Sequence, residues 1–238
     1  MMNIEILYED RDIIVCVKPH GVPSQSDRSS AMDMISWIKN HLAAESGEKG
    51  GFYVGAVHRL DRPVAGVMVY AKTKKAAEDL SRQFSAHTTE KYYLALLTGK
   101  MAQEQGKLEN FLQKDGRTNT SSVVASGGKR ACLEYRILGE KDGLSLAEIH
   151  LNTGRHHQIR VQTAYAGAGI YGDMKYNSDQ TDMWKKEHGV QREKTELCLF
   201  AWRLVFEHPS LHKRMIFKVL PKTGRMCIDE WPCLSYYE

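Results

Sequence analysis

The sequence predicts an α+β fold, with a mixed, largely antiparallel central sheet and flanking helices. Three observations predict it. Strand-like and helix-like runs do not alternate strictly, which argues against a purely parallel sheet. Residues 107–151 hold several short strand-like runs separated by Gly, Asn and Asp clusters. The chain has 238 residues, 42% of them hydrophobic, enough for a full core. No internal repeat, low-complexity block or interdomain linker breaks it, so residues 1–238 read as a single domain.

Residues 4–10 and 13–17 read as two short strands. The second ends in Lys18-Pro19-His20-Gly21-Val22-Pro23, a turn rich in residues with special backbones. Ser29 or Ser30 is placed to cap a helix running to about residue 44, with Ile35, Ile38 and Leu42 on one face. A glycine-rich loop then delivers the chain to His58. Residues 67–71 read as a buried strand. Thr73 caps the next helix, whose Ala76, Ala77, Leu80 and Phe84 share a side. Residues 91–97 read as a strand closed by Thr98-Gly99. The charged stretch 177–194 reads as a mobile insertion, and 197–206 and 215–220 as late strands.

The charge balance is mildly basic: 33 Lys and Arg against 29 Asp and Glu, a net charge of +4. It permits an RNA partner without demanding one. The five cysteines are widely spaced with no C-x-x-C pair, and three lie in apolar runs. They read as reduced, buried thiols of a cytoplasmic protein. No signal peptide is visible, and no run approaches a membrane span.

Two segments carry the chemistry. In His58-Arg59-Leu60-Asp61-Arg62-Pro63 a carboxylate stands between two arginines at the mouth of a buried strand. Neighbouring positive charge keeps such a group ionised. It can then serve as nucleophile, base, metal ligand or structural ion pair. In Asn152-Thr153-Gly154-Arg155-His156-His157-Gln158-Ile159-Arg160 a turn leads into a helix that ends near Gly167. That spacing puts His156 and Arg160 on one helix face and gathers Arg155, the histidines and Arg160 into a cluster suited to phosphate or carboxylate.

The Asp61 segment resembles the signature of the RluA family of RNA pseudouridine synthases, roughly His-Arg-Leu-Asp-x-x-Thr-Ser-Gly-Leu. The second segment resembles that family's Thr-Gly-Arg-x-His-Gln-Ile-Arg. Gly172-Asp173-Met174-Lys175-Tyr176 is similar to its Gly-Asp-x-x-Tyr, and Lys91-Tyr92-Tyr93-Leu94-Ala95 to its Lys-x-Tyr-x-Ala. Lys18-Pro19-His20-Gly21 fits its Lys-Pro-x-Gly turn, and Ala201-Trp202 and His208-Pro209 its C-terminal pattern. The likeness runs in order from about residue 4 to residue 220.

The resemblance implies a pseudouridine synthase-like fold and an isomerase that needs no cofactor and no metal. Asp61 would be the nucleophile. Arg160 would pair with it and keep it anionic. Tyr93 would stack on the base and offer its hydroxyl for proton transfer. Arg59, Arg62, Arg155, His157 and Gln158 would contact RNA. The expected partner is a structured ribosomal or transfer RNA, with no membrane and no DNA, and the expected state is a monomer. The chain is expected to begin directly at the catalytic domain, without the N-terminal S4 module of many members. It departs from the pattern at Val64-Ala65, where Thr-Ser is usual, and at Leu133, where Thr is common.

Two other readings were weighed against this one. A catalytically silent RNA-binding relative is disfavoured by the intact Asp61, Tyr93 and Arg160 positions. A metal-dependent hydrolase would use His58, Asp61 and the His156-His157 pair. Adjacent histidines diverge on a helix, however, and no third ligand has metal spacing.

Overall fold

A computed structural model describes residues 4–26, 31–47, 50–190 and 195–237. In chain order the elements are β1 (Ile6–Glu9), β2 (Ile13–Lys18), α1 (Met34–Ser46), β3 (Gly55–Ala56), β4 (Ala65–Ala71), α2 (Lys74–Ser85) and β5 (Glu90–Thr98). Next come β6 (Gln105–Asp115), β7 (Thr120–Val124), β8 (Lys129–Lys141), β9 (Leu144–Leu151), α3 (Gln158–Tyr165) and α4 (Ser178–Glu187). Strands β10 (Leu199–Glu207) and β11 (Arg214–Lys218) and a terminal 3-10 turn (Pro232–Tyr237) follow. The chain divides into two compact units, Met1–Glu90 with Ala201–Val219, and Lys91–Phe200 with Leu220–Glu238.

In the first unit the strand order is β1-β2-β4-β10, with β3 on β4 and β11 on β10. β2 and β4 pair antiparallel from Ile13 opposite Ala71 to Lys18 opposite Gly66. Both strands are buried along almost their whole length, which is why they read as unbroken apolar runs. On one face Val15, Val67, Val69, Leu204 and Phe206 pack with Ala76 and Leu80 of α2. Each large side chain so buried contributes about 1.5–3 kcal/mol. Thr73 caps α2 as expected, accepting from the Ala76 N–H. The cap of α1 is Asp33, which accepts from Ile35 and Ser36. The expected caps Ser29 and Ser30 lie outside the described residues.

In the second unit the order is β5-β9-β8-β6-β7, every pair antiparallel. The several strand-like runs expected between 107 and 151 are β6 to β9, and the Gly, Asn and Asp clusters at 116–119, 127–128 and 142–143 are the turns between them. Asn110 and Gly139 instead sit inside β6 and β8, which are therefore longer than the runs suggested. The polar stretch 177–194 carries α4, docked by Trp184. The indole is 8% exposed and donates to Asp142 O at 2.6 Å, and the Arg225 guanidinium lies over it. Three of α4's neighbours are also tied down: Asn177 Nδ2 donates to Ile170 O, and Gly172 N–H to Thr181 Oγ1. Residues 191–194 are outside the described set.

All five cysteines are free thiols, and four are buried, in keeping with the reduced state read from their spacing. Burial pushes Cys16 and Cys198 up to about 12. No helix among the described residues is long and apolar enough to cross a membrane.

Gly66 tests how tightly β4 and β10 meet. Its φ is +131°, and a Cβ there would stand 2.2 Å from Ala201 O. Gly66→Ala combines a strained backbone with a backbone clash, so it should cost at least about 3 kcal/mol in urea unfolding. A loss below about 1 kcal/mol would mean that the two strands separate easily.

Candidate active site

Within the first unit the Asp61 loop is braced from three directions. The Val64 N–H closes a turn on Asp61 O at 2.9 Å. Ser24 both donates to and accepts from the Leu60 backbone, at 2.8 and 3.1 Å. The Lys18-Pro19-His20-Gly21 turn is joined to Arg62 twice: Gly21 N–H donates to Arg62 O, and Arg62 Nε donates to Gly21 O, each at 2.9 Å.

Beneath this loop lies Lys18, fully buried. Its Nζ donates to Val22 O at 2.7 Å and to Pro19 O and Arg62 O at 3.0 Å. An ammonium has three N–H donors, and three carbonyls receive them. Burial pulls its pKa down to about 7, while the negative charge of Asp61 opposes that fall. Asp61 is half-buried, and Arg59 and Arg62 are exposed. His58 supports the same loop from behind: Nε2 accepts the Val69 N–H, and the ring stacks on Phe84 at 4.4 Å. Val64, where the family pattern has a hydroxyl, is buried at 3% exposure. Here the bracing comes from main-chain groups, Ser24 and Lys18.

In the second unit Gln158 closes the Thr153-Gly154-Arg155 turn. Its Oε1 accepts from Thr153 Oγ1 at 2.7 Å and from Arg155 N–H at 2.9 Å, and its Nε2 donates to Cys132 O. The helix begins only at Gln158. His157 before it takes a left-handed backbone, φ +53°, so His156 and Arg160 do not share a helical face as expected. The two imidazoles stack instead, 3.7 Å apart.

Tyr176 joins three segments. It accepts the Ser121 N–H at 2.8 Å and lies 2.7 Å from His157 Nδ1. The phenol oxygen thus bonds both the Ser121 N–H and the His157 ring. The Arg160 guanidinium sits over the Tyr176 ring, 5.1 Å from its centre.

Arg160 is 5% exposed and binds Asp173 through two donors, Nε to Oδ2 at 2.7 Å and one Nη to Oδ1 at 2.6 Å. Asp173 Oδ1 also caps the Lys175 N–H. Tyr93 lies on β5 opposite Ile149, 8% exposed. Tyr92 projects from the other face and stacks on His150 at 4.5 Å.

Of the residues read as RNA contacts, His157 and Gln158 are buried and bonded internally, whereas Arg59 and Arg62 are exposed. Arg155 is half-buried and donates to Arg130 O. In the sequence Lys18, Asp173 and Tyr176 stand out only as motif letters. A lysine closing an apolar strand pattern just before Pro-x-Gly was the available signal for the first. The hydrolase reading gains no support from its histidines, each of which already uses one ring nitrogen inside the protein. His58 Nε2 is bonded to a backbone N–H, and the Nδ1 atoms of His156 and His157 are bonded to hydroxyls. Among the described residues the one three-group cluster with metal spacing is Glu9, His41 and Glu45, where Lys72 already pairs with Glu9.

Comparison with known proteins gives a consistent result. Residues 12–165 match the family model described as RNA pseudouridylate synthase. The chain is 34% identical over 219 residues to an RNA pseudouridine synthase of Aquifex aeolicus, covering 91% of this chain and 69% of that one. It is 32% identical to ribosomal large subunit pseudouridine synthase D of Nitrosomonas europaea, covering 87% of this chain and 58% of the relative. The solved structure of human RNA pseudouridylate synthase domain containing 4 superposes with a TM-score of 0.76 at 22% identity, over 97% of this chain and 93% of that one. At that identity the likeness is one of fold.

The His157 ring yields a pH prediction. Burial first, then Arg160, His156, Lys175 and Lys114, pull it from 6.5 to about 3. Between these values the unfolded chain binds a proton that the folded chain refuses. Stability from this group is therefore full above about pH 6.5 and falls as the pH drops toward 3. His157→Asn tolerates the left-handed backbone and removes the titration. Its melting temperature should fall less steeply than that of the wild type between about pH 7 and about pH 4.5. Parallel profiles would show that His157 takes up its proton without cost.

Proposed function

The chain belongs to the RNA pseudouridylate synthase family, isomerases acting on uridines in RNA, and from that premise we propose that Asp61 is its nucleophile and ribosomal or transfer RNA its substrate. The observation that carries the reading is the placement of Asp61: a half-buried carboxylate on a loop fixed by main-chain bonds, facing the charge of Lys18. Large-subunit ribosomal RNA is the favoured substrate, because the Nitrosomonas relative carries that name.

The reaction breaks the bond between N1 of uracil and C1′ of ribose and joins C5 to C1′. The C5 proton is lost and N1 gains one, so no atom is gained or lost overall and no redox partner is needed. A carboxylate can attack C1′ or C6, or assist formation of a glycal. Arg160 keeps the role of the cation that stabilises this carboxylate. Tyr93 stacks on the extruded base, with its hydroxyl available for proton transfer from the sugar. Extrusion of a stacked base costs a few kcal/mol, which phosphate contacts from Arg59, Arg62 and Arg155 help offset. We further propose that the protein works as a monomer in the cytoplasm, with neither membrane nor DNA as a partner.

Pseudouridine mapping in total RNA from cells with and without the gene identifies the substrate, and a site lost on deletion should return with the wild-type gene. Asp61→Asn keeps the side-chain volume but not the charge, so it should lower turnover at least about 10³-fold with the fold intact. Substantial turnover by a well-purified Asp61→Asn protein removes Asp61 from the mechanism.

Tyr93 separates two roles. Stacking needs an aromatic face, worth about 1–3 kcal/mol per base. Tyr93→Phe should therefore bind RNA nearly normally and lose most turnover, while Tyr93→Leu should also bind more weakly. Tyr92→Phe, on the opposite face of β5, should stay close to wild type. A damaging Tyr92→Phe beside a silent Tyr93→Phe would overturn the assignment.

A further inference from the structure

Lys91 is a half-buried cation with no acid. It is the second residue of β5 and, by strand alternation, projects to the same face as Tyr93. β5 and β9 pair antiparallel, with Tyr92 opposite His150. Continuing that register brings Lys91 to the end of β9, where the chain turns through Thr153-Gly154-Arg155. Its Nζ lies 3.9 Å from where a Cβ on Gly154 would stand, and beyond Gly154 and its two chain neighbours no other heavy atom comes within 4 Å of that point. The ammonium therefore lies beside a turn that has no side chain at Gly154.

Several other cations of this unit have acidic partners. Arg160 holds Asp173, Lys107 and Arg130 share Glu109, Arg136 meets Glu148, and Lys141 meets Glu230. Among the described residues no hydrogen bond or ion pair engages the Lys91 ammonium. Burial alone acts on its ionisation and lowers its pKa. A cation withdrawn from water without an acid is a net cost to the fold. Its placement makes sense when a ligand supplies the negative charge.

We propose that Lys91 contacts the substrate, its ammonium binding a phosphodiester of the RNA next to the target uridine on the Tyr93 face of β5. This rests on the reading of Tyr93 as the base platform. A phosphodiester carries a full negative charge and matches a compact ammonium as a point charge. A uracil carbonyl would leave most of the positive charge uncompensated.

The test uses the whole protein and a labelled oligouridylate, titrated at several salt concentrations. Lys91→Met should bind about fivefold to tenfold more weakly at low salt, and its salt slope should be shallower by about 0.7, the loss of one phosphate contact. Lys91→Arg should retain the slope. Replacing one linkage at a time by a neutral methylphosphonate should reveal one linkage that matters to wild type and not to Lys91→Met.

Removing an unpaired cation should not lower the melting temperature. Unchanged affinity and slope in Lys91→Met, or equal sensitivity of both proteins at every linkage, overturn the proposal. So does a drop in melting temperature that accounts for the weaker binding, because the lysine is then structural. If the mapped pseudouridine is lost on gene deletion and Lys91→Met still binds as wild type, only this inference fails. If wild type binds no RNA and no site is lost on deletion, the proposed function fails with it.

Discussion

Lys18 brings a positive charge to the floor of the Asp61 loop and hands all three of its protons to main-chain carbonyls, those of Pro19, Val22 and Arg62. Two of these acceptors belong to the turn after β2 and the third to the Asp61 loop, so one side chain fixes the distance between two segments 44 residues apart. The β2–β4 pairing makes this possible, because Lys18 lies opposite Gly66 where both loops leave the sheet. An ammonium is costly to bury. Three carbonyl dipoles and the nearby Asp61 charge offset that cost. Without the lysine, the Pro19 and Val22 carbonyls would lose this donor, at about 1–3 kcal/mol each, while Arg62 O would keep the Gly21 N–H. A loop whose main chain is held this way is set before any substrate arrives, the condition that a nucleophile at Asp61, as proposed above, would need.

The second unit solves a similar problem with a hydroxyl. Tyr176 Oη accepts the Ser121 N–H and bonds the His157 ring, while its ring face covers the Arg160 guanidinium. Three segments distant in sequence converge on one aromatic side chain: β7, the residue before α3, and the loop from Gly172. Burial above all, and then the nearby charge of Arg160, disfavour a second proton on the His157 ring. The strained backbone at His157 has a consequence too. It ends the turn one residue before the helix and lets the His156 ring reach Ser121.

Much of this was legible in the sequence, and the exceptions share causes. The strands of the first unit announced themselves because both faces are covered, giving unbroken runs such as Val67-Met68-Val69-Tyr70-Ala71. Thr73 was recognisable as a cap because the amphipathic pattern starts immediately after it. Asp33 was overlooked for serines nearby, since Met34 begins the buried face and capping power is similar among Asp and Ser. The polarity of 177–194 hid a docked helix, because one indole is enough to anchor ten residues when its N–H finds a carbonyl. The α3 start was misjudged by about one turn because nothing in the residue type of His157 signals a positive φ. Motif letters identified which residues matter at Lys18 and Asp173. Only the partners reveal what those residues do.

Three cations in these two units are compensated in three ways, and the difference bears on how each can be studied. Lys18 has carbonyls, Arg160 has a carboxylate, and Lys91 has no partner within the described chain. Arg160 and Asp173 are both buried and joined by two charge-assisted bonds. Removing the arginine alone strands Asp173 as a buried, unpaired anion, a change that costs about 3–5 kcal/mol in comparable pairs. Lost activity in such a variant would mix a folding defect with a catalytic one. Arg160→Lys is the cleaner substitution, because it keeps a positive charge for Asp173 but forfeits the planar fork. If charge alone is what Arg160 supplies, this variant keeps much of its turnover. If the rigid orientation of the guanidinium between Asp173 and the Tyr176 ring is what counts, turnover falls while the unfolding midpoint hardly moves.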